Sequence, residues 1–360
     1  MAKKKFNIKK YTKHIPTLAA VLMVALAFAA TISSNKTQID QYKKYYIDAF
    51  DTSTQIIGYG DSEETFTEQA NKLNQELIRY HKMYNIYNSY EGINNLRTIN
   101  AYAGKEPVKV DKEIIDLLKF SIELYHKTDG EINIAMGKVL RIWHDYRTEG
   151  INDPSNASLP PMDLLKEASK HCNINDIIIN EDESTVYLAD PEMSLDVGSI
   201  GKGYAVQRVA EYAKELGYNN LVINCGGNTI TIGPRNDGSD WKLGIQNPDL
   251  DAAEQMLKKV ELSDKCLVTS GDYQRYYTVD GVEYCHIIDP DTLMPPNYFS
   301  GVTIISNDSG LADALSTALF NMPYEDGLVL INSIDGAEAI WVCKDGTIKY
   351  SENFEKYIVE

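Results

Sequence analysis

The chain runs to 360 residues, 43% of them hydrophobic, enough for one large domain or two smaller ones. Six lysines sit within the first 14 residues, and removing them from the 35 Lys and Arg leaves 29 basic side chains against 52 acidic ones, a balance of −23. A body this acidic repels nucleic acid and excludes it as a partner.

The basic start is followed by an uncharged apolar run from Leu18 to Ile32. A positive flank before such a run reads as a signal peptide or a single membrane anchor. No A-x-A-like site precedes Asn35 and no cysteine offers a lipobox. The expectation is therefore an uncleaved anchor within residues 1–34, with the rest of the chain on the extracytoplasmic face. Residues 35–48, polar and rich in Tyr, read as a linker, and 49–360 as the folded domain.

Phe50 to Gly60 has the pattern of a strand. Thr65 and Glu68 have capping-box spacing, and Phe66, Ala70, Leu73, Leu77, Tyr80 and Tyr84 then follow a helical period. Asp111 is placed to cap a second helix, with Ile114, Ile115, Leu118, Ile122 and Tyr125 on one face, ending before Asp129-Gly130. Residues 148–162 read as a surface loop. Further on, Ser194–Asp196 reads as a strand end, Val197–Gly201 as a small-residue turn, and the following residues to Gly217 as a helix. A strand, a tight Gly turn and a helix N-terminus together present several N–H groups to a phosphate. The spacing G-x-x-G-K-G, with no hydroxyl after the Lys, is not that of a Walker A loop.

The second half reads as β-rich. Leu221–Cys225, Thr229–Ile232, Leu243–Ile245 and Val302–Ile305 have strand patterns, and Asp280-Gly281 joins Tyr276–Val279 to Glu283–Ile288 as a hairpin. A helix is predicted from about Gly310 to Asn321. Hairpins mixed with long helices predict an α+β fold with largely antiparallel sheets, not a doubly wound one. The five cysteines, Cys172, Cys225, Cys266, Cys285 and Cys343, form no C-x-x-C pair and are expected as buried free thiols.

Five separated segments carry chemistry: the Asp196–Lys202 turn, Asn224-Cys225-Gly226-Gly227-Asn228, Thr269–Arg275, His286-Ile287-Ile288-Asp289-Pro290, and Ala312–Thr317. Asp313 and Thr317 are four apart on a predicted helix and share a face. A carboxylate plus a hydroxyl is oxygen-only ligation, suited to a hard cation that completes its shell with water and phosphate.

Taken in order, D-x-G-x-x-x-K-G-Y, G-G-N, S-G-x-Y-x-R, H-I-I-D-P and A-D-x-x-x-T resemble the ApbE-type flavin transferases, FAD:protein FMN transferases, from about Phe50 to Asn321. Phe50-Asp51-Thr52 stands where that family often has Met-Gly-Thr, Tyr90 precedes Asn100 by ten, and Thr128–Gly137 through Trp143 stands in for T-G-G-A-x-D-x-T-x-G…W. Asp129 replaces a Gly of that segment, and Asn133 replaces its Asp. The resemblance implies FAD as substrate, bound with its diphosphate on Mg²⁺. It assigns Phe50, Tyr90, Glu131, Ile132, Asn133, Asp196, Lys202 and Ile288 to the FAD site and Ser199, Asp313 and Thr317 to the metal, with Ser316 where some members carry an Asp ligand. His286 is the expected base, oriented by Asp289, and Lys202 and Arg275 are expected to stabilise phosphate charge. The implied partner is an acceptor flavoprotein carrying a D-x-x-S-G-A-T-like motif, such as a subunit of a membrane redox complex. The chain's own Asp153–Ser158 only echoes that motif and reads as a loop. The same residues would also serve an FAD-storing protein or a Mg²⁺-dependent FAD pyrophosphatase.

Overall fold

The computed structural model describes residues 40–359, so the apolar run and its basic flank lie outside the described residues. Among the described residues no helix is long and apolar enough to cross a membrane.

The frame is one eight-stranded sheet whose spatial order follows the chain: Asp40–Ala49, Thr52–Gly60, Leu221–Cys225, Asn228–Ile232, Cys266–Gly271, Phe299–Ser306, Glu338–Cys343 and Ile348–Tyr350. Every neighbouring pair is antiparallel, so the α+β expectation holds. The central strands are buried on both faces, as in the fully buried Asn228–Ile232. The helices Glu63–Tyr84, Gly201–Glu215 and Ser309–Asn321 pack against this frame and one another. Their apolar stripes merge with the sheet into the main core, around Phe66, Leu77, Val206, Ile223, Leu315 and Trp341.

A second, smaller core forms around Trp143 of the helix Gly137–Asn152 and the hairpin Tyr276–Val279/Val282–Cys285. The hairpin turn is the expected one: Asp280 and Gly281 both take positive φ, 51° and 82°, as a two-residue type I′ turn requires. Trp143 Nε1 donates to the Leu293 carbonyl at 2.9 Å, fixing the loop beyond the hairpin to this helix.

Four local expectations are corrected. Residues 40–48 are not linker but most of an edge strand: Tyr42 stacks on Phe66 with ring centroids 5.8 Å apart, and the Tyr46 hydroxyl donates to Asn71 at 2.8 Å. An edge strand buries only one face, so its other residues are free to be polar and mask the strand signal. The first helix is capped by Ser62, whose hydroxyl accepts from the Thr65 N–H at 3.1 Å, so Thr65 is inside the helix. Asp111 occupies its cap position without a side-chain cap bond. The loop expected from 148 begins later, because the helix continues to Asn152. The five cysteines are free, three buried and two half-buried.

Candidate active site

A cleft of about 360 Å³ opens at the seam between the two cores, within the usual size of a small-molecule site. Its first wall comes from the main core. The helix Gly201–Glu215 starts after Ile200, which has no side-chain oxygen to cap the first turn. In place of a local cap, the Gly203 N–H donates to Asp313 Oδ2 at 2.7 Å across the interface with the helix Ser309–Asn321. A carboxylate at a helix N-terminus is favoured by the unpaired N–H groups and the dipole there. Glycine is required for the approach: a Cβ at Gly203 would stand 2.3 Å from the Ser309 carbonyl oxygen and 2.4 Å from Asp313 Cβ. Because Gly203 N–H goes to Asp313, it does not bond the carbonyl four residues back, that of Ser199.

The second Asp313 oxygen, Oδ1, lies 3.7 Å from Lys202 Nζ. Lys202 also donates to Asn228 Oδ1 at 2.5 Å. Asn228 is held there by the hairpin turn Gly226-Gly227, whose φ values are 53° and 89°. Thr317 lines the cleft one turn after Asp313, and Asn321 one turn after that. Ser316 faces away: it is fully buried, and its hydroxyl donates to the Asp313 carbonyl at 2.8 Å and meets the Ser270 hydroxyl at 2.7 Å.

The opposite wall belongs largely to the smaller core. Leu140, His144 and Arg147 form one stripe of the helix Gly137–Asn152. His286 follows the end of the strand Val282–Cys285, and Arg275 precedes the hairpin. Burial is the main force pushing His286 down to about 4, with Arg147 and then Arg275 adding to it. Its Nδ1 is buried without a hydrogen-bond partner. Asp289 does not orient it. Its carboxylate instead accepts from the Asp291 N–H at 2.8 Å and the Thr292 hydroxyl at 2.9 Å, closing its own turn.

Two carboxyls in the cleft are shifted upward. Burial, reinforced by Asp289 and Asp291, lifts Glu131 to about 7. Its Oε2 is buried without a partner among the described residues, and the Asn321 side chain beside it offsets part of the rise. Burial also raises Asp196, against the 2.8 Å bond it accepts from the Gly198 N–H. The segment entering that turn is not the expected strand: it forms only an isolated bridge from Ser194 to Met136, and Asn100 pins it by accepting from the Leu195 N–H at 2.7 Å and donating to the Leu195 carbonyl at 2.9 Å.

Of the residues named from sequence, Phe50, Glu131, Asn133, Asp196, Ser199, Lys202, His286, Ile288, Asp313 and Thr317 line this one cleft. Ile132 is buried behind it, and Tyr90 touches it through two cleft residues, His81 Nε2 at 3.3 Å and the Asn85 amide, which donates to the Tyr90 hydroxyl at 3.3 Å. His81 Nδ1 accepts the Phe50 N–H at 3.0 Å. Phe50 and Asp51 both sit at positive φ, 55° and 50°, a strained turn of the kind held only by its surroundings. The sequence reading missed His81, His144, Arg147 and Asn321. A period-3.6 reading of polar residues after Trp143 and after Asp313 would have found the last three.

Among the described residues no group of three His, Cys, Asp or Glu side chains could hold a metal ion. The donors near Asp313 fit only an ion that takes most of its shell from water and substrate oxygens, which is Mg²⁺ chemistry. Asp313 Oδ1 has the Lys202 ammonium 3.7 Å away as its ion-pair partner.

This fold is shared by solved ApbE structures. The ApbE protein of Thermotoga maritima superposes with a TM-score of 0.78 at 28% identity, over 89% of this chain and 100% of that one. The flavin transferase ApbE of Vibrio cholerae shares the fold at 24% identity, with a TM-score of 0.73 over 89% and 99%. The chain belongs to the ApbE family, whose model matches residues 50–341. The FAD:protein FMN transferase of Klebsiella pneumoniae (strain 342) is 31% identical over 251 residues, 69% of this chain and 75% of that protein. That of Treponema pallidum (strain Nichols) is 31% identical over 270 residues, 71% and 72%.

Proposed function

We propose that this protein transfers the FMN portion of FAD to a Thr or Ser hydroxyl of an acceptor protein and releases AMP. The observation that carries the reading is the shared Asp313 carboxylate. One oxygen caps the Gly203 N–H, and the other faces Lys202 in the cleft that also holds His286. Family membership and the named relatives support it.

The acceptor hydroxyl oxygen forms a bond to the FMN-side phosphorus. The bond from that phosphorus to the bridging oxygen breaks, and AMP leaves with the electron pair. His286, neutral at pH 7, takes the hydroxyl proton on its unpartnered Nδ1, a role worth ~10²–10⁴-fold. Lys202 holds charge on the leaving side. Asp313, Thr317 and the Ser199 carbonyl would hold Mg²⁺, which when bound neutralises diphosphate charge. Phe50, Glu131, Asn133, Asp196 and Ile288 would flank the rest of the FAD. The basic flank and apolar run support a membrane-anchored enzyme on the extracytoplasmic face, where a redox-complex subunit with a D-x-x-S-G-A-T-like motif would be its partner.

The test is to incubate the purified protein with FAD, Mg²⁺ and an acceptor carrying S-G-A-T. Fluorescence that stays on the acceptor after denaturation supports transfer. Free FMN and AMP without labelled acceptor would make it a pyrophosphatase, and unchanged FAD a storage protein.

A further inference from the structure

Arg147 is the cleft residue for which neither the fold nor the sequence motifs provide a reason. It is half-buried on the helix Gly137–Asn152, and its nearest hydrogen-bonding neighbour is His144 Nδ1, 3.4 Å from Nη2. Its strongest charged neighbour is another cation, Arg275. Arg275 in turn has only the Asp51 backbone carbonyl, at 3.5 Å. Asp51 and Asp196 line the same cleft, yet among the described residues neither guanidinium is within ion-pair distance of any carboxylate.

Two guanidiniums lining one cleft without a counter-ion repel, and burial adds to the cost. An anion bound between them would relieve both costs. The planar fork of Arg matches phosphate in a bidentate way. Lys202 and Asp313 already define the opposite wall, so a diphosphate in the cleft would lie between the two cationic sides.

We propose that Arg147 and Arg275 form a guanidinium clamp for a phosphate of the bound diphosphate, on the wall that carries His286, with Arg147 acting as a positioning residue. The inference rests on the reading of this cleft as a diphosphate site. A consequence follows for His286, which faces Arg147 and Arg275 on its own wall and Lys202 across the cleft. In the free protein these cations and burial keep its ring a weak base. An anion between the arginines cancels much of their effect, so substrate arrival itself makes His286 basic enough to take a proton.

The probe is inorganic pyrophosphate, titrated without divalent metal into the purified full-length protein and followed by calorimetry and by histidine ring NMR. Arg147→Gln is expected to weaken pyrophosphate roughly ten- to hundredfold, and Arg147→Lys to recover part of the loss. In the unsubstituted protein pyrophosphate should shift the His286 titration upward, and in Arg147→Gln this shift should shrink. Unchanged pyrophosphate affinity in Arg147→Gln would overturn the clamp. So would a loss that accompanies a lower melting temperature and is not recovered by Arg147→Lys, since Arg147 would then be structural. No acceptor or turnover is needed, so a protein that shows the Arg147-dependent affinity but flavinylates nothing would sink the transfer reading and leave the clamp standing.

Discussion

The two walls of the cleft are built on opposite principles. On the Asp313 wall the charged groups are tied into the fold: Asp313 caps a helix and Lys202 bonds Asn228, while the Asn228 amide nitrogen and the Ser309 hydroxyl stay unpartnered among the described residues. On the His286 wall less is satisfied: among the described residues His286 Nδ1 has no partner, the guanidiniums of Arg147 and Arg275 have no carboxylate within ion-pair distance, and Glu131 Oε2 is unpartnered at the cleft's edge. A satisfied wall holds its shape whether or not ligand is present. An unsatisfied one is set up for what ligand will supply, because a buried polar group without a partner costs free energy until it finds one. The fold thus separates a rigid half, built between packed helices of the main core, from a responsive half on the small hairpin core.

Substitutions on either side should break or sharpen that contrast. The largest effect is expected at Asp313. Asp313→Ala should lower flavin transfer by roughly 10³–10⁴-fold, the weight of an electrostatic centre at a phosphoryl group. It should also lower stability by about 1 kcal/mol through the lost helix cap. Asp313→Asn keeps an acceptor for the Gly203 N–H, so thermal melts should recover while in-gel flavin fluorescence of the acceptor does not. Full transfer in either variant would remove the metal assignment.

His286→Ala should slow transfer about 10²-fold or more, with FAD affinity by fluorescence titration changed only a few-fold and the melting temperature barely lowered. A large stability loss there would erase the contrast between the walls. Gly203→Ala, on the rigid side, should do the reverse: the new methyl meets backbone and Asp313 Cβ at 2.3–2.4 Å, an overpacking that costs about 1–3 kcal/mol in chemical denaturation.

The smallest effect concerns pH in the ligand-free protein. His286 sits near 4, against an ordinary 6.5, so between those values the folded state binds fewer protons and stability rises with pH. Glu131 sits near 7, against an ordinary 4.5, so between those values the folded state binds more protons and stability falls with pH. The two slopes oppose each other in the overlapping window. Glu131→Gln removes the second, so its denaturation midpoint should climb more steeply from pH 4.5 to 6.5. At pH 8 it should exceed the parent by about 1–2 kcal/mol. An unchanged slope would mean that Glu131 is not desolvated in the folded protein.

Much of the frame could be read from the chain. Leu221–Cys225 and the Asp280-Gly281 hairpin were legible because a buried strand is an apolar run and a tight turn needs positive φ. The strand Asp40–Ala49 was not, because an edge strand needs only one apolar face. Asp313, Thr317, Lys202 and His286 were legible as residue types in ordered motifs. Arg147 and Asn321 belong to none of those motifs and were missed, although the helical period carried on from Leu140 and from Asp313 reaches both.

The sequence by itself determined the family, the antiparallel α+β frame and the chemical inventory of the cleft, because these depend on local periodicity, turn chemistry and short motifs. Only the tertiary structure decided which groups are satisfied and which stand waiting. Whether Asp313 caps Gly203, or Arg147 and Arg275 line one cleft without an ion pair to any described carboxylate, depends on how helices and loops far apart in the chain are packed together, and no local pattern encodes a distance of that kind.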